Sequence, residues 1–262
     1  MINKVINLRE GKNVTLTTYV LDDPMEKGTK RPAILVCPGG GYEFCSPREA
    51  EPIAIRYNAA GFHAFVLNYS VAPARYPSAL EEASMAVSLI RENAEEWRVK
   101  TDNIAVIGFS AGGHLAGSLG VFWNSDPIKT ADGKNKPNAV ILAYPVITSG
   151  EYAHRGSFEK LCGSDEELIA RMSLEKQVTK DTPPMFIWHT FEDKSVPVEN
   201  SLMMASALRK ENIPFELHIY PKGEHGLSTA QKDVGITGEG ISSGIEDWVG
   251  QSVNWLGDLF DL

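Results

Sequence analysis

The sequence predicts an α/β fold, with a mostly parallel central sheet and helices on both faces. Three observations predict it. Short, uninterrupted apolar runs of strand type recur along the chain, as in AILVC at 33–37 and AVILAY at 139–144. Segments with helical spacing lie between them, as at 77–97, where Leu80, Ala83, Val87, Ile90 and Trp97 are apolar. At 108–112 a strand pattern runs straight into a helix pattern through the small-residue turn GFSAG. Strands buried on both faces belong to parallel sheets, and the helices between them supply the crossovers.

In chain order, the threonine-rich alternation at 14–21 suits an early antiparallel strand. The run 33–37 is a short buried strand. Residues 50–60 have helical spacing and stop at Gly61. FHAFVLNY at 62–69 is a second buried strand, and Pro77 opens the helix 77–97. NIAVIGF at 103–109 is a strand followed at once by a small-residue helix, SAGGHLAGSLGVF. Strands follow at 139–144, 185–189 and 215–220, with a helix at 198–211 between the last two. A closing helix at 245–260 carries Trp248, Val253, Trp255, Leu256 and Leu259 on its apolar side.

One stretch breaks the rhythm. Residues 147–182 are polar, without a clear strand, and hold one expected helix, DEELIARMSLEK, at 165–176. A long insertion between two strands at the carboxyl edge of a sheet commonly covers a site. The expectation is a single domain over residues 1–262 with a cap insertion at about 147–182.

Bulk properties narrow the function classes. The chain has 262 residues, 43% hydrophobic and 23% charged, which is ordinary globular composition. A formal net charge of −9 argues against nucleic acid and anionic membrane as partners, since both reward a basic surface. The N-terminal stretch has no apolar h-region and no window has the length of a membrane span. Three cysteines, Cys37, Cys45 and Cys162, in no zinc-like spacing, suggest free thiols and a cytoplasmic setting. Oligomeric state leaves no trace in the sequence, and a homo-oligomer is compatible with it.

The chemistry centres on Ser110. GFSAG matches G-x-S-x-G, and the strand before it and the helix after it give the setting of a nucleophile elbow. A serine hydroxyl is a weak nucleophile at neutral pH, so it needs a base, and the base needs an orienting acid. Two later loops offer them, each just beyond a strand. HTFEDKSVP carries Glu192 and Asp193, and YPKGEHGLS carries His225. His63 and His218 lie inside strands, His114 lies behind the elbow, His189 ends a strand and His154 falls in the insertion.

PGGGY at 38–42 follows an early strand. It matches neither G-x-x-x-x-G-K-[ST] nor G-x-G-x-x-G, so a phosphate cradle is disfavoured. Acyl transfer instead needs backbone N–H donors where negative charge develops. Gly40, Gly41 and Ala111, the residue after the serine, are the candidate oxyanion donors. Tyr42, Phe44, Tyr152 and Phe158 are available to line the pocket. No metal or cofactor is implied.

With these residues in place, the sequence resembles the α/β-hydrolase superfamily over nearly its whole length. More narrowly it resembles the small esterases related to hormone-sensitive lipase and to bacterial acetyl xylan and feruloyl esterases. PGGGY with REAEP behind it, NYSVAP, YPSAL, NIAVIGFSAGGHLAGSLG, TPPMFIWHTFEDKSVPVENS and YPKGEHGLS carry the likeness. The resemblance implies an α/β-hydrolase fold and a serine esterase acting on a small-molecule ester such as an acetylated sugar. It favours Asp193 over Glu192 as the acid of a Ser110–His225–Asp193 triad. Two departures stand out. Pro38 occupies the place of the histidine in HGGG, and Ser70 that of the arginine in N-Y-R-x-A-P. A peptidase on the same fold, or a binding protein that has lost catalysis, are the rival readings.

Overall fold

The computed structural model describes residues 1–25 and 27–262. Among them, eight strands form one sheet: β1 (Val5–Asn7), β2 (Thr15–Tyr19), β3 (Arg31–Cys37), β4 (His63–Asn68), β5 (Val99–Phe109), β6 (Ala139–Ala143), β7 (Met185–Thr190) and β8 (Phe215–Tyr220). Their spatial order is β1-β2-β4-β3-β5-β6-β7-β8. β1, β2 and β4 pair antiparallel; every pairing from β4 to β8 is parallel. The helices are α1 (Glu51–Ala59), α2 (Ser78–Glu92), α3 (Ala111–Phe122), α4 (Arg155–Cys162), α5 (Glu166–Arg171), α6 (Glu199–Lys210) and α7 (Trp248–Phe260).

The strand period of two divides the apolar runs between two cores. Ala33, Leu35 and Cys37 of β3 pack with Val87 of α2, Leu115 of α3 and Leu208 of α6. Ile34 and Val36 join the opposite face, with Tyr57 of α1 and Trp248 and Leu256 of α7. The continuous hydrophobicity of the central strands is therefore burial on both sides. All the parallel strands run the same way, so the loops after β3, β5, β6, β7 and β8 gather at one edge of the sheet.

Three expectations need correction. α2 ends at Glu92, short of Trp97. The Asn93 side chain donates back to the Leu89 carbonyl at 2.8 Å, and Trp97 leaves the helix to pack on Phe65, with ring centroids 5.3 Å apart. Burial of the indole outweighs continuation of the helical period. The closing helix begins at Trp248, after a 3-10 turn at Ile245–Asp247.

The third correction concerns 147–182. α4 was not expected, and the expected helix at 165–176 splits into α5 and a 3-10 turn at Leu174–Lys176. Asp165 does start α5, accepting the Leu168 N–H at 3.0 Å. Tertiary contacts then win over propensity. The Leu174 N–H donates to the Ile147 carbonyl at 3.0 Å, and the Leu174 side chain is fully buried against α3, where a Cβ on Gly117 would lie 2.9 Å from it.

Candidate active site

Ser110 sits between β5 and α3 with φ +53° and ψ −118°, a conformation that costs an L-residue strain and persists only when its surroundings fix it. They do. The Ser110 N–H donates to the Ala143 carbonyl at 3.0 Å, and the Ser110 carbonyl accepts from His114 N at 3.1 Å and Val146 N at 3.0 Å. Gly112 must lack a side chain, because a Cβ there would meet the carbonyl oxygens of Cys37 at 2.2 Å and Pro38 at 2.3 Å. The glycine of the motif thus lets the turn press against the end of β3.

His225, after β8, faces this serine: Ser110 Oγ lies 2.8 Å from His225 Nε2. On the other side His225 Nδ1 lies 2.6 Å from Asp193 Oδ2, after β7. A carboxylate only accepts, so Nδ1 carries the proton and Nε2 is free to accept from the serine hydroxyl. Glu192 is turned elsewhere, its Oε2 accepting the Gly223 N–H at 3.4 Å.

Asp193 is buried and heavily bonded. Oδ1 accepts the N–H groups of Ser195 and Val196, both at 2.9 Å, and Oδ2 also lies 3.3 Å from His189 Nε2. Burial alone would raise its pKa. The hydrogen bonds from His189 and His225, the nearby His225 charge and the Val196 amide outweigh burial and hold the carboxyl well below the usual carboxylate range. From sequence, His189 ends a strand and could line the site, though it precedes the acid loop. In the structure it is fully buried, braced by Ser201 Oγ at 2.7 Å and the Val196 carbonyl at 2.9 Å.

The glycine loop approaches from β3. The N–H of Gly39 is taken by Glu49 Oε2 at 2.8 Å, so it is not free to meet a substrate oxygen. Those of Gly40 and Gly41 have no acceptor among the described residues. Their directions are set one residue earlier. The Gly39 carbonyl accepts Ser46 N at 2.9 Å and the Gly40 carbonyl accepts Glu43 N at 2.9 Å. A trans peptide is planar, so fixing each carbonyl aims the next N–H the opposite way. Ala111 is the first residue of α3, and its N–H has no partner within the helix. The Pro38 carbonyl accepts the Tyr69 hydroxyl at 2.6 Å.

The other expectations sort by burial. Tyr42 and Phe158 are buried, not pocket-lining; Tyr42 Oη lies 2.9 Å from His114 Nδ1, and Phe158 packs edge-on against the same imidazole. Phe44 is exposed and Tyr152 half-buried. Burial pulls the His114 pKa down to about 4, and its Nε2–H donates to the Met172 carbonyl at 2.9 Å. His63 is likewise buried, with a pKa pulled down to about 4. His218 is partly exposed and lies 2.6 Å from Glu216. His154 is half-buried and bonds Ser157 Oγ at 2.8 Å; burial and the nearby His225 lower its pKa. The Ser70 N–H and hydroxyl both donate to buried Glu82 at 2.7 Å, and the Arg9 guanidinium lies 3.0 Å from Glu82.

A cavity of about 710 Å³ opens beside Asp193 and His225, lined also by Phe191, Glu192, Lys194, Ser195 and Glu224. The whole arrangement can activate a hydroxyl and present N–H donors to a developing oxyanion.

Comparison with known proteins places the chain among carboxylic ester hydrolases. The chain matches the BD-FAE family over residues 21–208, a span that includes Ser110 and Asp193. It is 44% identical over 78% of its length to endo-1,4-beta-xylanase B of Butyrivibrio fibrisolvens, covering 34% of that protein. It is 29% identical over 85% of its length to an acetylxylan esterase of Xylanibacter ruminicola, covering 45% of it. The chain thus spans a third to just under a half of the length of these two curated relatives. A solved acetyl ester-xyloside bifunctional hydrolase from Caldicellulosiruptor lactoaceticus superposes with a TM-score of 0.86 at 37% identity, covering 98% of this chain and 96% of that one. The eight-stranded, mostly parallel sheet with its flanking helices is the α/β-hydrolase fold.

Proposed function

The chain belongs to the BD-FAE family, in the acetyl xylan and feruloyl esterase group of α/β-hydrolases, and from that premise we propose that it is a serine carboxylesterase removing short acyl groups, acetyl foremost, from esterified sugars. The observation that carries the reading is the relay in which Ser110 Oγ lies 2.8 Å from His225 Nε2 while His225 Nδ1 lies 2.6 Å from Asp193 Oδ2. Relatives that include an acetylxylan esterase support the substrate class.

In this mechanism Ser110 attacks the ester carbonyl as His225 takes its proton. The carbonyl π pair moves to oxygen, and the N–H groups of Gly40, Gly41 and Ala111 hold the oxyanion. One such donor is worth roughly 3 kcal/mol in the transition state. The intermediate collapses, the C–O bond to the alcohol breaks, and the alcohol leaves with the proton from His225. Water then repeats the sequence on the acyl-enzyme, releasing the acid and restoring Ser110. Asp193 fixes the Nδ1–H tautomer and stabilises the imidazolium.

Residues 147–182 act as a cap in this reading, because Ser157 lies close to Gly41 and His154 close to His225. The free thiols of Cys37, Cys45 and Cys162 support a cytoplasmic setting. The test is a panel of p-nitrophenyl esters of increasing acyl length, acetylated xylo-oligosaccharides, an aryl xyloside and an aminoacyl amide. Turnover concentrated on acetyl esters, and abolished in Ser110→Ala, is expected. Turnover of the xyloside or amide above that of every ester overturns the assignment.

A further inference from the structure

The REAEP stretch behind the glycine loop has no part in that mechanism, yet it holds a carboxylate in the interior. Glu49 is 4% exposed, in a 3-10 turn spanning Pro47–Glu49. Burying a carboxylate without a cation against it is costly, and an apolar or neutral side chain would fill the space at less cost. Both of its oxygens are used. Oε2 accepts the Gly39 N–H at 2.8 Å, and Oε1 accepts the Tyr144 hydroxyl at 2.6 Å.

These partners belong to the two halves of the reaction. Gly39 leads into Gly40 and Gly41. Tyr144 ends the β6 run with φ +36° and packs edge-to-face on the His225 imidazole, centroids 5.1 Å apart. The Tyr144 oxygen also accepts the Ser228 N–H at 2.9 Å, from the loop that carries His225. The Ser228 hydroxyl donates to the carbonyl of Arg48, next to Glu49. The Arg48 side chain donates to the Val234 carbonyl at 3.0 Å. The 3-10 turn therefore touches the glycine loop, the support of the base and the loop of the base at once.

We propose that Glu49 is a positioning residue, which locks the glycine loop and the Tyr144–His225 platform into one unit, so that oxyanion donors and base keep a fixed separation. This rests on the esterase reading above. Glutamine has Glu49's shape but a single acceptor oxygen. It can keep Gly39 or Tyr144 in its present role, and it turns an N–H₂ group towards the other. Misplacing donors by about 1 Å can cost on the order of 10²-fold in rate, whereas ground-state ester binding makes little use of them.

The experiment measures kcat and KM on p-nitrophenyl acetate for wild type, Glu49→Gln and Tyr144→Phe, normalised to active sites titrated with a fluorophosphonate, and for Ser110→Ala per mole of protein, since that variant has no hydroxyl to titrate. Inhibition by a trifluoromethyl ketone, whose hemiketal oxygen occupies the oxyanion position, is measured in parallel. Glu49→Gln should lower kcat per active site roughly 10- to 100-fold with KM within about threefold, and weaken the ketone in proportion. Tyr144→Phe should do the same to a smaller degree, and it decides the question if Glu49→Gln does not fold. Unchanged kcat per site and unchanged ketone affinity in the folded variants overturn the proposal. Retained turnover in Ser110→Ala would instead overturn the esterase mechanism, so the two failures are distinguishable.

Discussion

The elbow at Ser110 and the segment 147–182 meet above the same sheet edge, yet they are held by different means. The elbow is fixed by backbone: its carbonyl and N–H bond to neighbouring strand ends, and Gly112 admits β3 to contact. The segment is fixed by side chains. Asn200 Oδ1 accepts the N–H groups of Ile147 at 2.8 Å and Thr148 at 3.0 Å, and Asn200 Nδ2 donates to the Tyr152 carbonyl at 2.9 Å. Ser173 Oγ accepts the Ser149 N–H at 2.9 Å, and His114 donates to Met172. Backbone restraint leaves chemistry intact under most substitutions nearby. Side-chain restraint lets one residue reset a whole segment while the chemistry stays put.

Substitutions can break or sharpen this contrast. The largest effect belongs to Ser110→Ala, which keeps the elbow's backbone bonds. We expect turnover of p-nitrophenyl acetate to fall by roughly 10⁶-fold, with Tm unchanged by thermal melt. Asp193→Asn comes next, with kcat down by about 10⁴-fold as His225 loses its required tautomer.

The same variant tests stability. The folded pKa of Asp193 is depressed, so its contribution is fully present above the unfolded value of about 3.9 and is lost as pH falls further, towards the folded value. Urea melts should therefore separate wild type from Asp193→Asn above about pH 4 and converge below it. A constant gap through acid would contradict this.

Gly112→Ala attacks the backbone restraint itself. The added methyl must displace two carbonyls, so a loss on the order of 1–3 kcal/mol in chemical melts is expected, together with loss of activity. On the other side of the contrast, Asn200→Ala leaves buried N–H groups without acceptors, at about 1–3 kcal/mol. Its kinetic signature should be a change in KM and acyl-length preference with kcat on acetyl esters within about threefold. A collapse of kcat would mean that the segment also holds the elbow.

What could be read from sequence follows the same division. The strands, the elbow and the residues that meet at the strand ends are written in consecutive letters. Five apolar residues, a small-residue turn or a loop just past a strand each signal locally. α5 and α4 are not written that way. Phe158, Leu161 and Cys162 do show helical spacing, but over a single turn, too short for periodicity to register. The break before Leu174 depends on Ile147 and Gly117, which are distant in sequence. Glu49 was invisible for the converse reason: a charged residue between a basic and a small one reads as surface until Tyr144 and Gly39 are seen to close over it. Choosing Asp193 over Glu192 needed a resemblance, since adjacent carboxylates on one loop look alike until one is turned away.

The four contacts on Asp193 have a further consequence. If His225 rotates towards the departing alcohol, the carboxylate keeps the amides of Ser195 and Val196 and the imidazole of His189. No water has to enter to solvate it, and no other group has to swing in behind. On the proposed mechanism the imidazole would move within an electrostatic socket that stays fixed, and its return to Ser110 would need no rearrangement of that socket.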